Sequence, residues 1–251
     1  MGALISGGKD SWTAFQIARE NGHEVPVVIN VRSPNSWSYM YHTVNSWVVE
    51  VQAMAARVPI EVFYTRGVKE EEVDDLAYFI ARIKKSWQIE GLVIGGIRSN
   101  YQGDRIRRVC DQLGLELFAP LWHKDSTWLL REYLRRGMKV IFVLASALGI
   151  GPNWLGRELD EKAIDELIQL NKKWGVDPTG EGGEYESLVL DAPFFKEAIK
   201  VEEADKIWRV DTGTYAIRRV RLVPKSKAAS ETPRHQRRLF PWDRSLSSLR
   251  F

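Results

Sequence analysis

Cysteine is almost absent from this chain of 251 residues, since Cys110 is the only one. A single cysteine excludes an internal disulfide and any metal site built from several cysteines. Long apolar runs are also missing. The longest candidate, Val140 to Ile150, falls short of the roughly 18 apolar residues that cross a bilayer. The N-terminus lacks the charged-then-apolar layout of a signal peptide. We therefore expect a cytoplasmic protein that does not enter a membrane.

Positive and negative residues nearly balance in this chain, except in its C-terminal segment. The net charge is +3, but the segment from Lys225 to Phe251 alone holds seven Lys/Arg and two Asp/Glu, so the rest of the chain is slightly acidic. The globular body therefore gives no reason to predict a nucleic-acid binder. The tail is rich in Ser, Arg and Pro and is predicted to be mostly disordered. Its mixture of basic and aromatic residues leaves an RNA contact open for the tail only.

The most informative segment is Ser6-Gly7-Gly8-Lys9-Asp10-Ser11, which lies between an apolar run at 3–5 and a helix-like stretch at 12–19. The glycines allow a tight turn that brings backbone N–H groups close to a ligand. The helix start adds free N–H donors and a partial positive charge. Lys9 supplies a full positive charge, and Ser6 and Ser11 supply hydroxyl groups. This combination predicts a phosphate-binding loop.

The spacing of the glycines identifies the type of phosphate loop. A Walker A loop has a glycine, four residues and then Gly-Lys-Ser/Thr, whereas Asp10 follows Gly8-Lys9 here. The dinucleotide fingerprint fails because Gly7 and Gly8 are adjacent. The segment instead resembles the PP-loop of ATP pyrophosphatases, which cleave ATP between its α- and β-phosphates. Asp10 has three open roles: it holds Mg²⁺, orients Lys9, or only caps the helix.

The first half of the chain alternates short apolar runs with helical patterns, which predicts a parallel sheet with helical crossovers. The predicted strands are 3–6, 25–31, 60–64, 91–95 and 116–118, and the predicted helices are 9–21, 43–57, 70–86 and 103–113. Ligands of such sheets lie beyond the carboxyl ends of the strands. The phosphate loop and Gly95-Gly96 would both lie at that edge.

The second half has a different pattern. It is predicted to contain helices at 126–136 and 160–174, a strand at 140–144, and a pair of strands within 206–223 around a turn at 211–213, and it has a further apolar run at 188–190. We therefore predict an α/β domain over 1–122, a smaller α+β domain over 123–224, and the basic tail 225–251.

Four further segments carry a resemblance to one family. They are Met40–Thr43, Gly95–Gln102 with Arg105 and Arg107, Asn153–Arg157, and Gly180–Ser187 followed by Val189–Phe195. Together with the phosphate loop, they resemble the diphthine–ammonia ligase (diphthamide synthase) family of N-type ATP pyrophosphatases over about residues 1 to 222. The departures are modest: Tyr185 and Ser187 stand where family members often have Phe and Thr. The resemblance implies a PP-loop domain of the HUP-like, adenine nucleotide alpha hydrolase-like type.

The resemblance also implies a reaction, the ATP-dependent amidation of diphthine on translation elongation factor 2. ATP would activate the diphthine carboxylate as an acyl-adenylate with release of pyrophosphate, and ammonia would then displace AMP to give diphthamide. N–H donors, a lysine and Mg²⁺ are the groups that stabilise a pyrophosphate leaving group. Cys110 lies on an apolar helix face, which leaves no cysteine nucleophile for glutamine hydrolysis, so free ammonia is the expected nitrogen source.

The site residues follow from the loop and from the resemblance. The predicted catalytic residues are Lys9, Asp10, Glu184 and Glu186, with Asp10 also as the metal ligand. The predicted nucleotide-binding residues are Ser6, Gly7, Gly8, Lys9, Ser11, His42, Gly95, Ser99, Tyr101 and Gln102. The predicted substrate-binding residues are Arg105, Asn153, Glu181 and Tyr185.

The three glutamates of this set are assigned because carboxylates bind cations. The carboxylates of Glu181, Glu184 and Glu186 suit either the trimethylammonium group of diphthine or an ammonium ion, and Tyr185 offers a cation–π face. The other interpretation of these residues is a solvated acidic loop. His42 either covers the adenine, receives the imidazole of the substrate, or is structural.

Two other functions stay open at this level. One is a PP-loop enzyme that adenylates tRNA or a small-molecule carboxylate, although the absence of Cys-x-x-Cys pairs argues against the sulfur-transferring members of that group. The other is a non-catalytic nucleotide-binding module that uses the basic tail as its contact. The oligomeric state is also open, a homo-oligomer included.

Overall fold

The computed structural model describes residues 1–33, 44–66, 68, 71–98 and 100–225, without the side chains of 100–102. The first half forms a five-stranded parallel sheet of β1 (Gly2–Leu4), β2 (Val27–Arg32), β3 (Ile60–Tyr64), β4 (Gly91–Val93) and β5 (Glu116–Phe118). Its helices are α1 (Lys9–Glu20), α2 (Val48–Ala56), α3 (Glu71–Trp87) and α4 (Asn100–Leu113).

The strand order is β3-β2-β1-β4-β5, with every pair parallel. All residues of β2 are buried, as expected for an inner strand covered on both faces by helices. The chain leaves β1 toward β2 and β3, then returns to add β4 on the other side. The carboxyl ends of β1 and β4 therefore flank a topological switch point, where sheets of this type bind ligands.

The second half forms a separate antiparallel sheet. Its elements are α5 (Ser126–Arg135), β6 (Lys139–Ala145), a short 3₁₀ helix (Pro152–Trp154), α6 (Glu161–Trp174), β7 (Tyr185–Asp191), β8 (Glu197–Arg209) and β9 (Thr212–Pro224). The strand order is β7-β6-β9-β8. Asp160 starts α6 by accepting a hydrogen bond from Ala163 N at 2.7 Å, and Gly175 ends it with a φ of +70°. The predicted fold class, a parallel α/β domain plus a smaller α+β domain, is confirmed.

Two boundaries in the second half differ from the prediction. Strand β8 begins at Glu197, well before the predicted start near 206, and the hairpin turn is Val210-Asp211. The early part of β8 is rich in charge because its side chains pair across the hairpin, as in the ion pair of Arg218 with Asp205 at 2.9 Å. The alternation of Ile199, Lys200 and Val201 is broken by register irregularities between Val201 and Ala204, so no continuous apolar alternation marks the strand in the sequence.

The two halves share one hydrophobic core. Trp12 and Phe15 on α1 pack against Phe194 and Phe195 after β7, with ring centroids 5.2 to 5.7 Å apart. The helix that carries the phosphate loop is therefore fixed against the second sheet. No helix in the described part of the chain combines the length and apolarity that a membrane span requires.

Candidate active site

A cavity lies at the switch point between the ends of β1 and β4. Its polar end is formed by Ser6, Asp10, Ser11 and Glu181. Within the described residues, the rest of its lining is apolar or glycine: Leu4, Ile5, Ile29, Val31, Leu76, Ile94, Gly95, Gly96, Gly103 and Ile106. One end of the cavity therefore suits a flat apolar ring, and the other suits a polar, charged group. Among the lining residues that the structure describes, Glu181 alone comes from the second half of the chain.

Two glycines give the loop its shape. Gly7 has a φ of +97°, a backbone conformation that side chains other than glycine rarely adopt. Gly95 follows β4 and lies against the start of α1, where an added Cβ would stand 2.5 Å from Ser11 N. Gly8, at the N-cap of α1, brings no side-chain hydrogen bond to the helix start. The first turn of α1 therefore offers backbone donors at the polar end of the cavity.

Lys9 is buried, with 3% of its surface exposed, and its ammonium group is held by the second half of the chain. Its Nζ donates to Thr179 O at 2.7 Å and to Asp10 Oδ2 at 2.9 Å. The rings of Tyr185 and Tyr133 lie 5.2 and 5.6 Å from it. Burial by itself lowers the pKa of the Lys9 ammonium, but Asp10, Tyr185 and Glu181 together outweigh burial, so the pKa of Lys9 is raised. Lys9 is therefore a permanent positive charge beside the cavity.

Asp10 is held at both carboxylate oxygens. Oδ1 accepts a hydrogen bond from the hydroxyl of Tyr133 at 2.5 Å, and Oδ2 accepts from Lys9. Burial and the nearby Asp10 charge raise the pKa of Tyr133 well above its usual value, so this hydroxyl stays protonated and donates. Asp10 also lines the cavity. Its contact with Lys9 fits one of its three open roles, the orientation of Lys9, and that role stays a prediction.

Glu181 brings a second carboxylate to the polar end of the cavity. Its Oε2 accepts a hydrogen bond from the backbone of Arg98, which follows β4, at 3.1 Å. Burial and the nearby charge of Asp10 raise the pKa of Glu181, while Lys9 acts in the opposite direction. Two carboxylates that face one cavity repel each other, which favours a cation between or beside them.

The other predicted acidic residues lie apart from the cavity lining. Glu184 accepts a hydrogen bond from Asp177 N through Oε1 at 2.8 Å, while its Oε2 is buried without a partner. Glu186 lies in β7 opposite Leu144 of β6. In the described residues, no three His, Cys, Asp or Glu side chains come together as a metal-binding group. The acidic segment thus places one carboxylate in the cavity and holds its own loop with another.

Tyr185 lies in the interior, with 3% of its surface exposed. Its hydroxyl donates to Pro178 O at 2.7 Å, and the cation near its ring is Lys9. Its predicted contact with a substrate cation therefore requires access that this arrangement does not give, and the contact stays a prediction.

Several predicted residues lie elsewhere or outside the described residues. His42 and Ser99 lie outside them, and Tyr101 and Gln102 are described only as backbone of α4. Arg105 lies on α4, and Asn153 is exposed in the 3₁₀ helix. Arg157, which follows that helix, forms an ion pair with Glu166 within the second half. The predicted nucleotide and substrate roles therefore stay predictions for His42, Ser99, Tyr101, Gln102, Arg105 and Asn153.

Gln52 is a site residue that the sequence analysis missed. This fully buried amide on α2 donates to Gly7 O at 2.9 Å and to Val189 O at 2.7 Å, and it accepts from Trp12 Nε1 at 2.9 Å. It thereby joins the phosphate loop to β7. A signal was present, because Gln52 is a polar residue on the apolar face of α2 marked by Val48 and Val49.

Comparisons with known proteins agree over both halves. A family model described as the diphthamide synthase N-terminal domain matches residues 1–117, and the model for the C-terminal domain of the same enzyme matches residues 125–223. A curated protein of Mus musculus named diphthine–ammonia ligase is 35% identical over 224 residues, which cover 82% of this chain and 84% of the relative. The Homo sapiens protein of that name is 34% identical with the same coverage.

Two other comparisons differ in extent. A diphthine–ammonia ligase of Schizosaccharomyces pombe is 34% identical over 81% of this chain but only 36% of its own length. Among solved structures, a predicted subunit of tRNA methyltransferase from Methanocaldococcus jannaschii aligns with a TM-score of 0.38 at 16% identity, over 76% of this chain and 97% of that chain.

Proposed function

This chain belongs to the diphthamide synthase family, and we propose that it is an ATP-dependent ligase that joins ammonia to the carboxylate of diphthine on translation elongation factor 2. The observation that carries this proposal is the junction between the two halves of the chain. Lys9 of the phosphate loop bonds to Thr179 O, and Glu181 of the adjoining acidic segment lines the same cavity as Ser6 and Ser11. A site for ATP and the segment most typical of the family thus meet in one place.

We propose that ATP binds across the cavity at the switch point. The apolar walls from β1, β2, α3, α4 and the residues just after β4 suit the adenine ring. The backbone donors at the start of α1 and the hydroxyls of Ser6 and Ser11 suit the phosphates. This orientation directs the α-phosphate toward Asp10 and the second half of the chain.

The chemistry proceeds in two displacements. An oxygen of the diphthine carboxylate attacks the α-phosphorus, and pyrophosphate leaves. Ammonia then attacks the acyl carbon, AMP leaves and a proton is lost, which gives the amide. Negative charge develops on the leaving pyrophosphate in the first step, and the loop N–H groups and Lys9 are the donors to which we assign its stabilisation.

The residues at the polar end of the cavity fit a magnesium ion. Asp10 and Glu181 both face this end, and a triphosphate beside two carboxylates needs a divalent cation to offset repulsion. Mg²⁺ bound by one or two carboxylates together with phosphate oxygens supplies charge neutralisation at the leaving group. Asp10 is the residue that we propose as its main protein ligand.

The acidic segment supplies the substrate side of the proposal. Glu181 lines the polar end of the cavity and suits the trimethylammonium group of diphthine or the incoming ammonium ion. Glu184 shapes the loop through Asp177 N. Glu184→Gln keeps that loop contact and removes the charge, so a loss of ligation in this variant would assign a role to the charge itself.

The alternative substrates have no specific observation in their favour. Both halves of the chain match one family, and the exposed charges of the β8–β9 hairpin form ion pairs with each other, such as Arg218 with Asp205 and Arg221 with Glu202. A cytoplasmic location is part of the proposal because the protein substrate is a translation factor.

The products of ATP distinguish this function from the others. The protein is incubated with ATP and Mg²⁺, with and without diphthine-bearing elongation factor 2 and ammonium. We expect AMP and pyrophosphate only when both partners are present. ADP and phosphate would contradict cleavage at the α-phosphate, and AMP formation that is indifferent to the elongation factor would contradict the substrate.

Lys9→Ala tests the role of the loop in the same assay. We expect a loss of about 2–3 kcal/mol of transition-state stabilisation, since one preorganised donor to the leaving group is removed. Lys173→Ala on α6 is the matched control, because this exposed lysine lies beside Trp174 and away from the cavity. Equal rates in the two variants would exclude Lys9 from the reaction.

A further inference from the structure

Tyr133 is a buried polar residue that the proposed reaction does not yet use. It lies on α5 in the second half of the chain, has no exposed surface, and donates its hydroxyl to Asp10 Oδ1 at 2.5 Å. Its ring lies 5.6 Å from the Lys9 ammonium. A contact so distant in sequence, made to a residue of the phosphate loop, connects the second half of the chain to the predicted catalytic groups.

The pairing of Lys9 with Asp10 needs support from outside the loop. Adjacent residues at a helix start do not face each other, so a bond between their side chains is not a local preference of the helix. Here the carboxylate is held from one side by Tyr133, and the ammonium is held from the other by Thr179 O. The pair therefore persists because two groups of the second half fix its ends.

The position of Tyr133 requires an uncharged hydrogen-bond donor to Asp10. A lysine or arginine in place of Tyr133 would neutralise Asp10 and compete with Lys9 for it. A phenylalanine would fill the same space but leave one carboxylate oxygen without its buried partner. The hydroxyl of Tyr133 orients the carboxylate and leaves its charge available to Lys9 and to a cation in the cavity.

We propose that Tyr133 is a positioning residue of the adenylation step: its hydroxyl fixes Asp10 and, through Asp10, the Lys9 ammonium beside the α- and β-phosphates. The inference rests on the proposed function for its kinetic part only. The geometric part, that Tyr133 controls Lys9 through Asp10, stands on this chain alone.

The geometric part is tested by the reactivity of Lys9 toward acetic anhydride, measured by mass spectrometry of the folded protein. We expect Tyr133→Phe to speed the acetylation of Lys9 severalfold and Asp10→Asn to speed it as well. The double variant should match Asp10→Asn, because contributions that act through one group do not add. Leu130→Val, one helical turn away on the buried face of α5, controls for loss of packing and should leave the labelling of Lys9 unchanged.

The kinetic part is tested by the rate of AMP formation as a function of ATP concentration. We expect Tyr133→Phe to lower kcat at least tenfold with KM for ATP changed less than twofold, since Tyr133 does not line the cavity. Unchanged labelling of Lys9, or additive effects in the double variant, would overturn the proposal. A normal kcat in Tyr133→Phe would overturn it as well. If the wild type forms no AMP, the proposed function fails, and the labelling experiment still decides the role of Tyr133.

Discussion

Replacement of Gln52 by methionine tests the connection between the phosphate loop and the second sheet. The substitution keeps the length and approximate volume of the side chain and removes every polar atom from it. Three buried groups each lose a hydrogen bond: Gly7 O, Val189 O and the indole N–H of Trp12. Because all three lie in the shared core, water cannot replace the amide.

The loss in free energy of unfolding depends on which of these three groups keeps another hydrogen-bond partner. Gly7 O still accepts a hydrogen bond from Val189 N at 3.0 Å, so it loses only a net hydrogen bond of about 1 kcal/mol. The Trp12 indole N–H loses its partner in the interior, at a cost of about 1–3 kcal/mol. With the loss at Val189 O, we expect Gln52→Met to lower the free energy of unfolding by about 3–5 kcal/mol.

Thermal unfolding followed by near-ultraviolet circular dichroism measures this effect, since Trp12 itself reports on the core. In a chain of this size, about 1 kcal/mol corresponds to roughly 2–4 °C in Tm, so we expect a decrease of at least ~6 °C. Gln16→Met is the matched control, because Gln16 donates to Glu20 on the surface of α1 and should cost less than about 0.5 kcal/mol. Equal shifts in the two variants would refute the importance of the Gln52 contacts.

Three further predictions concern the loop, the cysteine and the second half of the chain. Gly95→Ala places a Cβ 2.5 Å from the backbone of α1, so we expect it to cost about 1–3 kcal/mol in thermal melts and to weaken binding of an ATP analogue. Gly96→Ala serves as the stability control, because its Cβ would meet only side-chain atoms of Trp122 and Ile94, at 3.5 and 3.6 Å, which is ordinary van der Waals contact. Burial raises the pKa of Cys110 to about 12, so its thiol stays protonated and should resist alkylation until denaturant is added; rapid labelling of the native protein would contradict this burial. A hydrogen bond from Arg157 lowers the pKa of Glu166, so the stabilisation by this pair is present at neutral pH and is lost as the pH falls through the lowered pKa. In a plot of unfolding free energy against pH, Arg157→Ala should therefore flatten the decline on the acid side, and it should leave ATP binding intact.

The parallel domain could be predicted because its signals are local. The phosphate loop is six consecutive residues, and the alternation of strands and helices is visible without knowledge of distant contacts. Helix α2 begins at Val48, five residues later than predicted. The cause is Asn45, whose side chain bonds to Tyr215 O and Ile217 N of β9 while its backbone adopts a φ of +57°. A contact across 170 residues thus delays the start of the helix, and no local signal in the sequence indicates this contact.

The candidate site could be predicted only in part for the same reason. Its phosphate loop and the acidic segment were found, because each is a contiguous motif. Tyr133 was not, since its helix presents it among Leu129 and Leu130 as an ordinary core residue. Its hydroxyl acquires a partner only when α5 packs beside the loop. Likewise, Glu181 lines the cavity whereas Glu184 bonds to the backbone of its own loop. This difference depends on how the loop folds back, which the spacing of the residues alone does not determine.

The central claim is that this chain forms an amide from a carboxylate that it first adenylates. The most direct measurement labels both reacting groups: diphthine-bearing elongation factor 2 with heavy oxygen in the carboxylate, and ammonium with heavy nitrogen. We predict that mass spectrometry finds the heavy nitrogen in the modified histidine and one heavy oxygen in AMP, because the carboxylate oxygen that attacks the α-phosphorus leaves with AMP. Heavy oxygen in inorganic phosphate would contradict adenylation. Consumption of ATP without transfer of heavy nitrogen to diphthine would contradict the ligase activity itself.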